Sequence, residues 1–214
     1  MSYITTEFIL SAAKAIQQTI LANENTLESL DREIGDGDHY INMKRGASVV
    51  VEMEPELKSL TPDATLNKIG MKLLSTIGGA SGPLLASFFM SMAKVLKENG
   101  DDSHLKIAAA FAAGVEAIRQ RGKADVGEKT MLDVLVPVSL QFTLLAAQQS
   151  DIRLICATLI TTAEQGMLST KDLIATKGRA AGLGERAIGH IDPGAKSCQL
   201  MIETVCQLVL KNNL

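Results

Sequence analysis

The 214-residue sequence has no tryptophan and only seven aromatic residues, five Phe and two Tyr. Sandwiches and barrels of strands lean on aromatic and β-branched side chains, so a core this poor in rings points to close-packed helices of Ala, Leu, Ile, Val and nine Met. An excess of positive charge is also missing. The 21 Lys plus Arg against 24 Asp plus Glu leave a net charge of -3 with no basic stripe, which argues against nucleic acid as a partner. The three cysteines, Cys156, Cys198 and Cys206, are odd in number and lack metal-ligand spacing. They read as small buried hydrophobes in a reducing cytoplasm. The first residues, Met1 to Glu7, show no basic region followed by an apolar run, so no signal peptide is expected. What remains, 46% hydrophobic and 21% charged residues, is ordinary globular composition and excludes a disordered chain.

One long uncharged stretch, residues 73 to 93, has the length of a membrane span, but Gly78-Gly79-Ala80-Ser81-Gly82-Pro83 interrupts its middle. In lipid such a break would leave backbone polar groups unpaired, so the stretch reads as two buried helices joined by a functional loop. Elsewhere apolar residues recur three and four apart. Phe8, Ala12, Ile16 and Ile20 form one stripe, Leu105, Ala108, Ala112, Val115 and Ile118 another, and Met131, Leu135, Val138, Phe142 and Leu145 a third. No stretch shows sustained strict alternation. Punctuation divides these stripes into about eight helices. Pro62 opens one behind a Thr61 cap, Pro83 opens the next, and Asn99 to Ser103 closes that helix and caps its successor. Pro137 predicts a kink or break. With no repeat, no linker and no shift in composition, residues 1–214 read as one all-α domain.

Chemistry collects in four segments. The first is Leu30-Asp-Arg-Glu-Ile-Gly-Asp-Gly-Asp-His-Tyr-Ile-Asn42, where Asp31, Asp36 and Asp38 sit within eight residues and Gly35 and Gly37 permit sharp turns. Taken singly, each Asp is a common turn residue. Three carboxylates converging at close range repel one another unless a cation neutralises them, and hard oxygen ligands suit Mg²⁺ or Ca²⁺ rather than Zn²⁺. The spacing does not fit an EF-hand, and Mg²⁺ is commonly shared with substrate phosphates, which points to a nucleotide. The second segment is the Gly78–Pro83 loop leading into a helix, a place where backbone N–H groups and the helix dipole favour an anion. The third, Arg119 to Met131, interrupts two apolar helices with charge and glycine. The fourth, Lys177 to Gly194, is Gly-rich, carries Lys177, Arg179 and Arg186, and has the character of a lid.

Other phosphate and hydrolase motifs fail. There is no G-x-x-x-x-G-K-[ST], so the chain is not a P-loop protein. Gly182, Gly184 and Ala187 spell G-x-G-x-x-A, but no strand precedes them. Ser81 lacks the strand-to-helix elbow that a serine hydrolase needs.

Taken in order, Asp31-Arg-Glu-Ile-Gly-Asp-Gly-Asp-His39, Gly78-Gly-Ala-Ser-Gly-Pro83, Arg121-Gly-Lys123 with Lys129-Thr-Met131, and Lys177-Gly-Arg179 through to Gly189-His-Ile-Asp-Pro-Gly194 resemble the nucleotide-binding L subunit of bacterial dihydroxyacetone kinase, of the phosphotransferase-system-dependent type. The resemblance runs along nearly the whole chain. It implies an eight-helix antiparallel barrel with the nucleotide site at one end. It further implies that Asp31, Asp36 and Asp38 hold two Mg²⁺ ions. His39, Tyr40, Ile41 and Asn42, Ala80 and Ser81, Gly122 and Met131, and Arg179 with Asp192, Pro193 and Gly194 would contact ADP or ATP.

The partners implied are a K subunit that binds dihydroxyacetone covalently and a phosphohistidine-carrying phosphotransferase subunit. Phosphoryl transfer would proceed by positioning and charge neutralisation, and no catalytic side chain is assigned in this chain. Two alternatives stay open at this level. The nucleotide is either a retained ADP coenzyme or exchanging ATP, as in a related ketose kinase; or the chain is a non-catalytic, nucleotide-dependent interaction protein.

Overall fold

The computed structural model describes residues 4–98 and 103–212. The turn expected at Asn99 to Asp102, and the first three residues of the N-terminal stretch, lie outside the described residues. Among the described residues there are ten α-helices and no strand: α1 (Thr6–Ala22), α2 (Glu24–Ile34), α3 (His39–Glu52), α4 (Glu54–Leu57), α5 (Pro62–Thr76), α6 (Ser81–Lys97), α7 (His104–Gly122), α8 (Leu132–Ala147), α9 (Ile152–Ser169) and α10 (Pro193–Lys211). Two 3₁₀ segments, Thr170–Asp172 and Arg179–Ala187, lie between α9 and α10. Eight of the helices are long, and α2 and α4 are the shorter additions to the expected set.

Local chemistry explains most boundaries. The Thr5 hydroxyl accepts from the Phe8 N–H (3.0 Å), that of Ser103 from Lys106 N–H (3.3 Å), and the Asp151 carboxylate from Arg153 N–H (2.8 Å). Pro62 opens α5, although the Thr61 side chain makes no capping bond. The uncharged stretch from 73 to 93 is indeed two helices, α5 ending at Thr76 and α6 beginning at Ser81. Among the described residues no helix is long and apolar enough to cross a membrane.

The break expected at Pro137 does not occur. Pro137 lies inside a continuous α8. Its missing N–H would have bonded the carbonyl of Asp133, four residues earlier. That carbonyl lies where α9 comes closest: a Cβ added to Gly166 would collide with Asp133 O and the Val134 Cα. Tertiary packing thus holds the helix across the proline.

The long helices follow one another in contact. Helix α5 packs on α6, α6 on α7, α7 on α8, α8 on α9 and α9 on α10; α10 then packs on α1, α1 on α3, and α3 on α5. The succession returns to its start. One apolar cluster joins Ile9, Ile20, Met43, Leu66, Leu73 and Leu85 from α1, α3, α5 and α6; another joins Val115, Leu135, Val138, Ile155, Leu159 and Cys198 from α7 to α10. Met201 packs against both. Each fully buried aliphatic side chain stabilises the fold by about 1.5–3 kcal/mol. Edge-to-face contacts of Phe88 with Phe111 and of Phe111 with Phe142 tie α6, α7 and α8 together. The three cysteines are free and buried, as expected of small hydrophobes.

Gly166→Ala should lower stability by about 1–3 kcal/mol, because the added methyl meets backbone rather than a movable side chain. Gly182→Ala, which adds a methyl into open space, should stay within about 0.5 kcal/mol of wild type. Urea unfolding of both variants checks this, and equal midpoints would contradict the close α8–α9 crossing.

Candidate functional site

The first motif forms the connection between α2 and α3. Asp31 occupies the last turn of α2 and is buried, whereas Asp36 and Asp38 are exposed in the loop. Gly35 ends the helix, its N–H donating to Asp31 O (2.7 Å), and a Cβ there would strike the Asp31 carboxylate. Gly37 turns the loop with φ 78°, a conformation that favours glycine. His39 N–H donates to Asp31 Oδ2 (2.9 Å), which fixes the orientation of that carboxylate. The outcome is one ligand oxygen from each of Asp31, Asp36 and Asp38 within 4.8 Å of the others. Asp31 also faces the negative end of the α2 dipole, which increases the demand for positive charge.

Helix N-termini supply part of that charge. His39, in the first turn of α3, has Nε2 3.1 Å from Ser197 Oγ, in the first turns of α10. Gly194 of α10 lies beside Met131, immediately before α8, and Gly78, before α6, lies beside the Asn42 side chain. The starts of α3, α6, α8 and α10 are therefore neighbours, and Gly122 at the end of α7 lies beside Leu84 of α6. N-termini gathered in this way present their positive dipole ends, a setting for phosphate.

The segment from 170 to 192 arches over this region. Ala175, Ala180 and Ala187 bury themselves against Ile34 of α2, with Leu183 beside them. Arg179 projects from it, and its Nε stands 2.8 Å from Asp36 Oδ2. The pair is exposed, so it contributes little to stability; its value is positional. His190 Nδ1 lies 3.8 Å from Glu33 Oε2. The turn before α8 is braced by Asp133, whose carboxylate accepts from Gly127 N–H (2.5 Å) and Thr130 N–H (2.7 Å). Lys129, 1% exposed, donates to the carbonyls of Thr170 and His190.

Burial shapes the titration of the site. It pushes the His39 imidazole down, against the raising influence of Asp31 and Asp38, which favours the neutral ring. It pushes Lys129 down against Asp192, Asp172 and Asp133. The Asp192 carboxyl is pushed up to about 7 by burial and by Asp133, opposed by the Ala195 N–H and by Lys129. Asp192 Oδ2 accepts from Ala195 N–H (2.7 Å), so the same carboxylate caps α10.

Most of the expected site residues are placed together by these contacts. Asp31, Asp36, Asp38, His39, Asn42, Arg179, Asp192, Pro193, Gly194 and Met131 line the same end of the helices. Ala80 and Ser81 stand at the start of α6, and Gly122 at the end of α7. Tyr40 is different. Its ring is buried in the first apolar cluster, where burial and the Glu24 and Glu28 carboxylates push its hydroxyl up, so the side chain belongs to the core. Ile41 is exposed beside it. The sequence pattern assigns no role to Asp133 or Lys129, although Lys129 lies in one of the resembling segments. Thr130-x-x-Asp133 before an apolar run is a capping-box pattern that could have marked the first, whereas nothing local marks Lys129 as buried.

Comparison with known proteins adds the following. The family model described as "DAK2 domain" matches residues 33–207. The ADP-binding subunit DhaL of PEP-dependent dihydroxyacetone kinase from Escherichia coli is 41% identical over 177 residues, covering 83% of this chain and 84% of that one. The corresponding subunit of PEP-dependent dihydroxyacetone kinase 1 from Listeria innocua is 40% identical over 190 residues, covering 89% and 90%. The crystal structure of the dihydroxyacetone kinase from C. freundii in complex with AMP-PNP and Mg²⁺ matches with a TM-score of 0.73 at 23% identity. That match covers 93% of this chain and 33% of the longer one, so the likeness there is one of fold.

The raised pKa of Asp192 has a definite consequence for stability. The folded state holds this proton more tightly than the unfolded chain, so its contribution is fully present below pH about 4 and is lost as pH rises through about 7. Asp192→Asn, which can still cap α10, should remove a difference on the order of 2 kcal/mol between pH 4.5 and pH 8. Urea unfolding of nucleotide-free wild type and variant at the two pH values measures it. Parallel pH profiles would show that Asp192 is not held protonated.

Proposed function

The chain belongs to the DAK2 domain family, and from this we propose that residues 1–214 form the nucleotide-binding L subunit of a dihydroxyacetone kinase working in the cytoplasm. The observation that carries the reading is the Asp31, Asp36 and Asp38 cluster, facing Arg179 and the starts of four helices. The donor set fits Mg²⁺: all-oxygen, anionic, and lying at one open end of the protein. Asp31, Asp36 and Asp38 would hold two such ions, which when bound neutralise charge on the nucleotide phosphates. The closed succession of long helices supports an antiparallel barrel with this site at its end.

The remaining work falls to this chain's own groups. The amides of Gly79 to Ser81 and of Tyr40 and Ile41 in the first turn of α3 donate to phosphate oxygens, and the start of α10 adds its positive dipole end. His39 N–H keeps Asp31 in its ligand orientation. Arg179 leaves Asp36 for the charge on the phosphoryl group being moved, and the lid excludes water from the reacting phosphate. Gly122, Met131, Asp192, Pro193 and Gly194 flank the nucleotide, with Asn42 bracing the Gly78 turn. Transfer needs position and charge rather than a nucleophile from this subunit.

The ADP-binding, PEP-dependent description of the relatives supports a retained ADP coenzyme. A phosphohistidine-carrying subunit would phosphorylate this ADP in place. The phosphoryl group would then pass to dihydroxyacetone held on a K subunit, giving dihydroxyacetone phosphate.

Mass spectrometry of nucleotide released on denaturing the purified protein tests the reading. Wild type should carry about one ADP per chain through dialysis. Asp38→Asn, which removes a carboxylate that makes no helix-capping bond, should bind ADP at least about a hundredfold more weakly in Mg²⁺, a change of about 2.7 kcal/mol. A variant that kept its nucleotide would overturn the metal assignment, and reversible ATP binding to an empty wild-type site would replace the coenzyme role with an exchanging one.

A further inference from the structure

Lys129 lies outside the machinery just described, yet it is among the largest fully buried side chains of the protein. A lysine is seldom enclosed without partners, because removing an ammonium from water is costly. Its backbone is also in the left-handed region, φ 61°, which a non-glycine side chain adopts only at a cost. Two independent costs are therefore met at one position. What offsets them is specific: the Nζ donates to Thr170 O and to His190 O, carbonyls twenty residues apart in sequence.

These carbonyls mark the two ends of the segment that carries Arg179. Other bonds cluster around the same point. Gly189 N–H donates to Lys171 O (2.8 Å), Asp192 N–H to Thr170 Oγ1 (3.0 Å), and Thr176 Oγ1 to Glu128 Oε1 (2.8 Å), Glu128 being the residue before Lys129. Asp133 and Asp172 supply the surrounding negative charge, and Asp192 adds to it when ionised. Bonds from a charged donor are stronger than neutral ones and cannot be replaced by water in an enclosed position.

We propose that Lys129 is a positioning residue that clamps both ends of the 170–192 lid to the turn before α8, so that Arg179 is delivered to the Asp36 side of the site from a fixed stem. The proposal rests on the reading of 170–192 as the lid of a nucleotide site. Above the clamp the lid has glycines at 178, 182 and 184 and only a small apolar contact beneath it, which leaves the tip freer to open than the base. Without the clamp the ends separate and the loop-closure entropy of about twenty residues is no longer offset.

Hydrogen exchange on nucleotide-free, Mg²⁺-free protein tests the clamp by itself. In Lys129→Met the amides of Gly189 and Asp192 should exchange at least about tenfold faster, while those of α5 and α6 keep wild-type rates. Lys129→Arg, which keeps charge and donors, should restore part of the protection. Unchanged exchange at Gly189 and Asp192 in the Met variant overturns the proposal. If neither variant folds, wild type still decides: the Lys129 ammonium protons should be visible by nitrogen-detected NMR as a slowly exchanging group, and exchange as fast as that of surface lysines refutes the clamp. ADP release from the Met variant should also be at least about tenfold faster. A wild type that never binds ADP would refute the nucleotide reading while leaving the exchange result to judge the clamp.

Discussion

Mutual repulsion among three carboxylates is the constraint to which the rest of the site answers. Asp31, Asp36 and Asp38 bring ligand oxygens within 4.8 Å of one another, at the negative end of α2. Like charges so close repel one another unless positive charge is placed against them. The protein provides it from several directions: the His39 N–H on Asp31, Arg179 on Asp36, and the starts of α3, α6, α8 and α10 nearby. On the proposed reading, a divalent cation bound with phosphate supplies the rest.

Rigid and adaptable parts are divided accordingly. The long helices bury aliphatic side chains in two clusters that meet at Met201, and the close crossing at Gly166 fixes α8 against α9. This frame sets the positions of the helix starts, and hence of the backbone N–H groups, without help from the loops. The lid has a much smaller buried patch, made of Ile34 and three alanines, and depends on polar bonds at its stem. Sites that must admit and then enclose a charged ligand are drawn from such lightly buried segments.

Much of this was legible in the residue pattern. Spacings of three and four predicted the helices, and the aromatic-poor composition predicted their aliphatic core. The Asp31 to His39 run and the Gly78 to Pro83 loop pointed to the candidate site before any contact was known, because turn glycines and clustered carboxylates carry their chemistry locally. At Pro137 the local rule allowed a kink or a break, and no break occurs because α9 packs closely there. Tyr40 sits in a motif that resembles a nucleotide contact, yet its ring belongs to the core, a distinction set by the direction of the first turn of α3. Lys129 was the least visible: a lysine in a charged, glycine-containing stretch looks solvated until the carbonyls of Thr170 and His190 are brought to it.

On the proposed reading, divalent metal and nucleotide are held together at the Asp cluster. Calorimetric titration of nucleotide-stripped wild type with ADP, in Mg²⁺ and then in EDTA, tests this most directly. Binding should weaken by at least about a hundredfold when Mg²⁺ is withdrawn, about 2.7 kcal/mol. Equal ADP affinity in the two buffers would contradict it.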